Sequence, residues 1–396
     1  MAVCPVLKET SLNVYPISID DNRLYITASV CREDVDPILS CEELYRHIGS
    51  VLKQRNLHIV QERIFGSINI QRDILDARKK SLCSSEVYEE SPVTYIEGEP
   101  VWGEGLAGIQ LYAIREDETG DKIWTIFDDG IPCGRGWRYH GTTYLSLQDI
   151  HGSQHDNPSN DCREKQTHLM FDRTERLLQR QGMTFRNVVR TWIYLVDILQ
   201  WYKEFNNVRN AKYEEFGLIP TKFNGLGAEE IYLPASTGIK GANRHGAAGV
   251  MDVLAVEQKA DDRATICHHT GSRQRSPYRY GSAFSRSTVI HEQKRKTIYI
   301  SGTASICEDG RTLGVNDPAE QIRNTIGVVD SLLKPENASL EDICQATVFL
   351  KHASDFPEYQ RVIRELGLEN LPAVCMVADV CRDELLFEID GIVTAG

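Results

Sequence analysis

The chain repeats itself at a fixed spacing, and this repeat constrains its fold more than any other feature. A Tyr-aliphatic-Ser triplet begins at Tyr144 and again at Tyr299, which is 155 residues later. The segment Phe185–Leu195 has a counterpart at the same spacing, Leu340–Leu350. A helical stretch lies between the two matched pieces of each copy. A constant offset over three successive elements indicates duplication of a whole domain.

A third and fainter copy precedes these two. Leu24-Tyr-Ile-Thr-Ala-Ser29 is similar to the first strand piece, residues 41–55 have helical spacing, and Ile59–Phe65 is similar to the strand that follows. Each copy also closes on an apolar strand, at Ile109–Ile114, Asp252–Val256 and Leu385–Ile389. The sequence therefore predicts three related α+β units, at residues 1–118, 119–260 and 261–396.

Charge and cysteine content narrow the function classes. The 396-residue chain has a net charge of −13 and a pI near 5.4, which argues against a nucleic-acid partner because phosphate contacts need a basic field. An anionic substrate must then be bound by a local cluster of Arg and Lys.

Eleven cysteines without a Cys-x-x-Cys pair are typical of free thiols in a reducing cytoplasm, with no zinc site. Neither a signal peptide nor an apolar run of the roughly 18 residues needed for a membrane span is expected.

Local patterns predict helices and connectors. Asp317-Pro-Ala-Glu320 has the N-cap and first-turn residues of a helix start. The apolar residues that follow at helical spacing predict a helix over 318–333 with one face buried, formed by Ile322, Ile326, Val329 and Leu332. A second helix is expected at 355–366. Polar composition predicts connectors at 76–98, 152–161 and 259–277.

Three motifs have simpler explanations than catalysis. Gly103-Glu-Gly-Leu-Ala-Gly108 spells a dinucleotide-binding pattern, but an extended run follows it, which favours a Gly-rich turn before a strand. His151 and His155 lie in a polar loop with no third metal ligand at a rigid spacing. Cys133 has only Arg135 and Arg138 nearby to activate it, so a buried thiol is the better interpretation.

Glu388 is harder to explain. In Leu385–Val393 the side chains alternate between faces, so Glu388 and Asp390 share one face of the strand. Burying an ionised carboxylate costs several kcal/mol unless it is paired. Glu388 therefore either faces water on an edge strand or is buried with a raised pKa, and a raised pKa suits a general acid. Arg286 and Lys351, next to apolar segments, either hold a carboxylate or lie on the surface.

Pieces of the last unit together resemble the Rid/YjgF family: Tyr299-Ile-Ser-Gly-Thr-Ala-Ser305, the helix at 318–333, Ala346–Leu350 and Leu371-Pro-Ala373. That family forms trimers of small α+β subunits with active sites between subunits, and it typically hydrolyses reactive imines and enamines. The resemblance implies tandem Rid/YjgF-like (chorismate-mutase-like) units, three pseudo-repeats around a pseudo-threefold axis. The chain is then a monomer acting as a pseudo-trimer, or a homo-oligomer. Val374 stands where the family has its substrate-binding Arg, which argues against an imine deaminase.

A closer resemblance covers roughly residues 165–396. Arg190–Tyr194, Leu233–Ile239, Tyr280–Arg286, Ser301–Ile306 and above all Ala378–Gly391 are similar to the chorismatases, two-unit Rid-like enzymes that hydrolyse chorismate. The resemblance implies a catalytic Glu388, and a Cys381 matching the form that makes 3-hydroxybenzoate. It implies a small-molecule carboxylate substrate, no cofactor or metal, and a site between the second and third units. The residues expected to bind substrate are Arg286, Lys351, Tyr280, Tyr194, Arg190, Thr237, Gly238 and Ser301.

The chain departs from this pattern at two positions. Lys351 replaces an Arg that holds a substrate carboxylate, which loses the bidentate fork, and Ile193 replaces a polar residue. The expected reaction is protonation of the enolpyruvyl group of chorismate by Glu388, followed by release of pyruvate. Three alternatives stay open: a related enzyme acting on another enol ether, enamine or carboxylate, an imine deaminase, and a non-catalytic small-molecule binder.

Overall fold

The computed structural model describes residues 7–8, 11–32, 35–116, 122–153, 162–219, 233–257, 264–270, 281–292 and 294–396. In these ranges the chain forms three six-stranded sheets, and two helices pack against each sheet. The strands of each sheet all come from within one of the three predicted units, although the unit boundaries themselves stay predictions. The predicted α+β class with three repeats is confirmed.

The first unit contains β1 to β6 in the order β1-β2-β3-β6-β4-β5. Its strands are Leu7–Lys8, Leu12–Ser18, Arg23–Val30, His58–Gly66, Thr94–Glu97 and Leu106–Ile114, and its helices are α1, Pro37–Arg55, and α2, Gln71–Ser84. The second unit has the same order, β7-β8-β9-β12-β10-β11. Its strands are Ile123–Asp128, Ile131–Tyr139, Thr142–His151, Val188–Leu195, Ala235–Lys240 and Gly249–Glu257, and its helices are α3, Arg163–Arg180, and α4, Ile198–Glu215.

The third unit follows the same plan, β13-β14-β15-β18-β16-β17. Its strands are Thr265–His269, Ser287–His291, Lys296–Ala304, Ile343–Leu350, Ala373–Val377 and Phe387–Ala395, and its helices are α5, Pro318–Leu333, and α6, Phe356–Glu365. In every unit the last two strands of the order pair in parallel, while the other neighbours pair antiparallel.

Among the described residues, four hydrophobic cores hold these layers together. Three of them each lie between one sheet and its own helices. The fourth is formed by the opposite faces of all three sheets and contains residues such as Tyr25, Tyr144 and Tyr299. A core shared by three equivalent sheet faces is the arrangement expected around a pseudo-threefold axis, because each unit must bury its second apolar face. The core shared by the three units therefore lies within a single chain.

Local sequence signals account for the helix that the sequence predicted best. Asp317 accepts a hydrogen bond from the Glu320 backbone N–H at 2.9 Å, and Pro318 begins α5. The predicted stripe of Ile322, Ile326, Val329 and Leu332 is buried in the third unit's core. The helix at 318–333 is therefore confirmed, and α6 matches the second predicted helix within one residue at each end.

The predicted connector at 76–98 is wrong, because most of α2 and all of β5 lie in it. Polar composition was misleading here, since α2 buries only a narrow face that includes Ile74, Ala77 and Leu82. Within the connector at 259–277, residues 265–269 form β13, and residues 258–263 and 271–280 lie outside the described residues. The predicted Gly-rich turn before a strand is confirmed, since β6 begins at Leu106.

Candidate active site

A cavity of about 570 Å³ lies at the boundary between the second and third units. Its walls come from the first half of α4, from β11, from residues 281–286, from β15 and from the segment 381–388. A cavity of this volume is within the range that holds a small organic ligand. Its position agrees with the site expected between these two units.

Glu388 lines this cavity from a central strand of the third sheet. β18 lies between β15 and β16, and Glu388 pairs with Ala304 and Phe349. The residue is 4% exposed, so the edge-strand interpretation does not apply. Burial and, to a lesser extent, the neighbouring Asp390 together raise the pKa of the Glu388 carboxyl to about 8, although the Arg286 and Arg190 guanidinium groups oppose the rise. The carboxyl group is therefore mostly protonated at neutral pH and can donate a proton.

A glycine makes room for this carboxyl group. A Cβ on Gly302 would lie 2.1 Å from Glu388 Oε1 and 3.0 Å from its carboxyl carbon. Gly302 also lines the cavity. Any side chain at residue 302 would force the Glu388 carboxyl group to move. Glycine at this position therefore permits the observed position of the carboxyl group.

Two buried arginines lie on the same cavity, and both are close to one aromatic ring. The guanidinium carbons of Arg209 and Arg286 are each 5.6 Å from the centre of the Phe284 ring. The two residues are 1% and 2% exposed, respectively. Arg209 donates to Asn206 Oδ1, and among the described residues its buried Nε has no hydrogen-bond partner. A buried guanidinium that lines a cavity and has an unpaired N–H suits an anionic ligand.

Cys381 also lines the cavity. Burial, with a smaller contribution from the nearby Glu388, raises the pKa of its thiol to about 12. The thiol therefore stays protonated at neutral pH, which argues against a nucleophilic thiolate. A small neutral group at this position shapes the cavity next to the acid.

Arg190 and Thr237 form a buried polar group with Asp390 behind the cavity. Arg190 Nη2 donates to Asp390 Oδ2 at 2.9 Å and to Thr237 Oγ1 at 2.6 Å, and Thr237 Oγ1 donates to the same Asp390 oxygen at 2.7 Å. Burial lowers the pKa of Arg190 to about 10, and Asp390 opposes this change. These contacts join the second unit to the third directly beneath Glu388.

Two further predicted residues lie at or beside the cavity. Gly238 lines it, and a Cβ there would meet the Tyr202 ring at 3.5 Å. Ser301 is fully buried and holds backbone in place, since its hydroxyl donates to the Ser285 carbonyl at 2.5 Å and accepts from the Ser236 N–H at 2.8 Å. Ser301 therefore positions the cavity wall and does not line the cavity itself.

Two other predicted substrate-binding residues, Tyr194 and Lys351, do not line the cavity. Tyr194 is buried in the central core, where its ring centre is 6.3 Å from that of Phe65, and burial raises the pKa of its hydroxyl well above the usual range. The Lys351 ammonium lies 2.6 Å from both a carboxylate oxygen and the backbone carbonyl of Asp383. Tyr280 lies outside the described residues.

Sequence reasoning missed several residues of the site, above all Arg209. It lies on the buried face of α4 together with Phe205, Val208 and Tyr213. An arginine on an otherwise apolar helix face is a usable signal, because an arginine is rarely buried without a partner. Phe284 and Gly302 gave no comparable signal, since aromatic and glycine residues occur in any fold.

The other motifs do not join this site. His151 stacks on His245 with ring centres 4.0 Å apart, near Asp149 but away from the cavity, and His155 lies outside the described residues. Burial raises the pKa of the Cys133 thiol to about 11. Among the residues that the structure describes, no group of three or more His, Cys, Asp and Glu side chains is arranged to hold a metal ion. None of the described helices is long and apolar enough to cross a membrane.

Comparison with known proteins supports the resemblance seen in the sequence. Residues 281–395 match the family described as Endoribonuclease L-PSP. A chorismatase of Streptomyces rapamycinicus is 25% identical over 231 residues, which are 53% of this chain and 64% of that protein. A 3-hydroxybenzoate synthase of Streptomyces hygroscopicus is 25% identical over 236 residues, with the same two shares. The match thus spans less than two thirds of the length of either relative.

A solved structure extends the likeness to most of the fold. The crystal structure of a chorismatase superposes with a TM-score of 0.58 and 18% sequence identity, covering 85% of this chain and 93% of the other. The chain is thus similar to the chorismatases, and its third unit is similar to the Rid/YjgF (L-PSP) family. The predicted resemblance is therefore confirmed, and the structural likeness covers 85% of the chain whereas the sequence matches cover 53%.

Proposed function

We propose that this chorismatase-like chain releases pyruvate from chorismate, with Glu388 as the general acid. The observation that carries the proposal is the buried Glu388 carboxyl, with a pKa of about 8, in a cavity that also contains two buried arginines. Chorismate has two carboxylates and an enolpyruvyl ether, so it needs both cationic contacts and a proton donor. The 25%-identical chorismatase and 3-hydroxybenzoate synthase support the same substrate class.

The proposed reaction begins with proton transfer. Glu388 donates its proton to the methylene carbon of the enolpyruvyl group, which gives an oxocarbenium ion at the ether carbon. Water, or the neighbouring ring hydroxyl, attacks that carbon, and the C–O bond to pyruvate then breaks. With water the products are pyruvate and a dihydroxycyclohexadiene carboxylate. With the ring hydroxyl the attack forms a cyclic ketal and releases the hydroxyl proton. The bond from the ring carbon to that oxygen then breaks as the ring loses a proton and becomes aromatic, so pyruvate leaves with this oxygen as its carbonyl and the ring product is 3-hydroxybenzoate. General acid catalysis of this kind contributes about 10²–10⁴ in rate.

Arg286 and Arg209 are proposed to bind the two substrate carboxylates. Both are buried, and both contact the Phe284 ring, which keeps their planar groups in place. Cys381 is proposed to favour 3-hydroxybenzoate, because it matches the form of the family that makes this product. Its neutral thiol beside Glu388 occupies space that water would otherwise take.

The two departures from the family pattern bear on the alternatives. Ile193 is fully buried in the core between the second sheet and its helices, and Lys351 is held by Asp383. Neither residue lines the described cavity wall, so neither gives a reason to prefer another enol ether or enamine. An imine deaminase is disfavoured because Val374 is buried in the central core. A non-catalytic binder is disfavoured because Glu388 is buried and protonated.

The experiment is a substrate panel on the purified chain. Chorismate is the expected substrate, followed by pyruvate release and by mass identification of the ring product, and 2-iminopropanoate serves as the deaminase control. Pyruvate together with 3-hydroxybenzoate supports the proposal in full. A dihydroxycyclohexadiene carboxylate keeps the reaction and removes the role of Cys381. Activity on 2-iminopropanoate but not on chorismate would replace the proposal with the deaminase.

A further inference from the structure

A second cavity, of about 490 Å³, lies at the boundary between the third and first units. It is lined by α6 and β17 of the third unit and by β2 and β3 of the first. The catalytic cavity is lined by the matching elements one unit earlier, α4 and β11 of the second unit and β15 of the third. The two cavities are therefore pseudo-symmetric copies of one site.

Strand pairing shows what replaces the general acid in this copy. Glu388 pairs with Phe349, and at the matching point of the first sheet Gly108 pairs with Phe65. Gly108 therefore takes the place of Glu388. A Cβ on Gly108 would lie 2.7 Å from the Cγ2 atom of Val374, so the space of the missing acid is filled from the neighbouring unit.

The first arginine is replaced by a tyrosine. In the third unit Arg286 lies opposite Ser301, because the Arg286 carbonyl accepts a hydrogen bond from the Ser301 N–H. In the first unit Tyr15 lies opposite Thr27, with which it pairs. Ser301 and Thr27 occupy matching places, because each stands two residues after the tyrosine of its strand. Tyr15 lines the second cavity in the position that Arg286 has in the first.

The second arginine is replaced in the same way. α4 and α6 end alike, since Gly217 and Gly367 follow them with positive φ angles of 74° and 71°. Counting eight residues back from each glycine leads to Arg209 and to Tyr359. Tyr359 is 6% exposed and lines the second cavity. The three buried charged groups of the catalytic cavity, Glu388, Arg286 and Arg209, are thus replaced by uncharged ones.

The remaining wall is aromatic and neutral. The rings of Trp102 and Phe356 meet edge to face at 5.8 Å between centres, and Phe356 stacks on Tyr359 at 6.0 Å. Burial raises the pKa of the Cys375 thiol to about 12, so this group stays protonated. The charged residues of the lining, Arg364 and Glu369, are both exposed. They lie at the rim and do not place a charge inside the cavity.

We propose that the second cavity is a binding site for an uncharged aromatic small molecule. An anion is disfavoured inside because desolvating it would need a cationic partner, and the two buried arginines of the catalytic cavity have no counterpart here. Ring faces and edges are the groups that the wall offers, and these bind aromatic ligands by offset and edge-to-face contacts. This site is independent of the proposed chorismatase reaction.

The experiment is a calorimetric titration of the full chain with 2-naphthol, with anionic 2-naphthoate as the matched control. One saturable 2-naphthol site is expected, and in a variant whose catalytic cavity is blocked it is expected to be at least tenfold tighter than 2-naphthoate binding. Two exposed lining residues give matched blocking variants, Gln360→Trp for the second cavity and Lys203→Trp for the catalytic cavity. Ala373→Phe on β17 blocks the second cavity from another side.

The blocking variants separate the two cavities. Gln360→Trp and Ala373→Phe are each expected to weaken 2-naphthol binding at least tenfold, while Lys203→Trp leaves it unchanged. The proposal is overturned if no saturable binding occurs up to millimolar 2-naphthol, or if 2-naphthoate binds as tightly as 2-naphthol to the Lys203→Trp variant, in which the catalytic cavity is blocked. It is also overturned if Lys203→Trp removes the binding and the other two variants do not.

Discussion

The Glu388 carboxyl group lies against Gly302, where there is no side chain to displace it. A Cβ on residue 302 would lie only 2.1 Å from Glu388 Oε1, so the carboxyl group occupies the volume that a side chain at 302 would need. Because the acid is buried on a central strand, it has little freedom to move elsewhere without disturbing its neighbours.

Gly302→Ala is therefore expected to reduce kcat for pyruvate release by about 10²–10⁴, the usual contribution of a general acid. The added methyl group displaces the carboxyl from its position. Gly238→Ala is the matched control on the same cavity, since its Cβ meets only the Tyr202 ring at 3.5 Å. Steady-state kinetics on both variants checks this expectation, and equal kcat values for the two would contradict it.

Asp390→Asn is expected to move the alkaline limb of the rate–pH profile to lower pH. The Asp390 carboxylate raises the pKa of Glu388, whereas Arg190 lowers it. Removing the carboxylate leaves Arg190 unneutralised, so both changes favour the ionised form of Glu388. Leaving a buried guanidinium unpaired also costs about 3–5 kcal/mol of stability.

The control for Asp390→Asn is Thr237→Val, which removes one hydrogen bond to Asp390 without changing a charge. It is expected to leave the alkaline limb in place. A profile that moves equally in both variants would show that packing, and not the Asp390 charge, sets the pKa of Glu388.

Arg209→Gln is expected to raise KM for chorismate by at least tenfold, because a buried hydrogen bond to a charged group contributes about 1.5–3 kcal/mol. Lys351→Gln is the comparison, since the Lys351 ammonium is held by Asp383 and lies outside the cavity lining. We expect its KM to stay close to the original value. A larger effect at Lys351 than at Arg209 would favour the role that the family pattern gives to residue 351.

Stability should depend on pH through Glu388. Its pKa is raised from 4.5 to about 8 in the folded chain, so between these values the folded state holds a proton that the unfolded state has lost. Stability then falls as pH rises through this window, by up to about 1.4 kcal/mol per pH unit from this one group. Glu388→Gln removes this slope.

Thermal melts of the original chain and of Glu388→Gln at pH 5 and pH 8 measure the difference. The variant is expected to gain stability relative to the original chain as pH rises. Asp252, whose pKa burial raises to about 6, contributes equally to both proteins and cancels in the comparison. Parallel pH profiles would mean that Glu388 ionises normally.

The sequence predicted the fold well where its signals were local and redundant. The Asp317 cap, the proline after it and the apolar stripe all specify α5, and its bounds were predicted correctly. The repeat of Phe185–Leu195 at Leu340–Leu350 is also real, since Arg190 and Gln345 each follow a β-bulge in matching strands.

The Tyr-aliphatic-Ser triplet matched less well than its spacing suggested. In the third unit, Ile392 pairs with both Gln345 and Tyr299. In the second unit, Leu254 corresponds to Ile392, because it pairs with Arg190, the counterpart of Gln345. Leu254 pairs with Ser146 and not with Tyr144. The triplet is therefore displaced by two residues between the copies. A shift of two keeps the same faces of the strand buried, so the hydrophobic pattern could not reveal it.

The site itself was only partly predictable. Glu388 could be found because a carboxylate in an apolar strand is unusual, and the family resemblance pointed to the same residue. Arg209 and Phe284 reach the cavity only because α4 packs against the segment before β14. The two residues are far apart in the sequence, so no local pattern could predict this contact. The tyrosines that replace the two arginines in the second cavity were hidden for the same reason.

The most direct test of the proposed function is Glu388→Gln with chorismate as the substrate. We expect that the variant still binds chorismate, measured by calorimetry, while pyruvate release falls by about 10²–10⁴, because glutamine keeps the shape of the acid but cannot donate its proton. Pyruvate release at close to the original rate would contradict the central claim that Glu388 is the general acid.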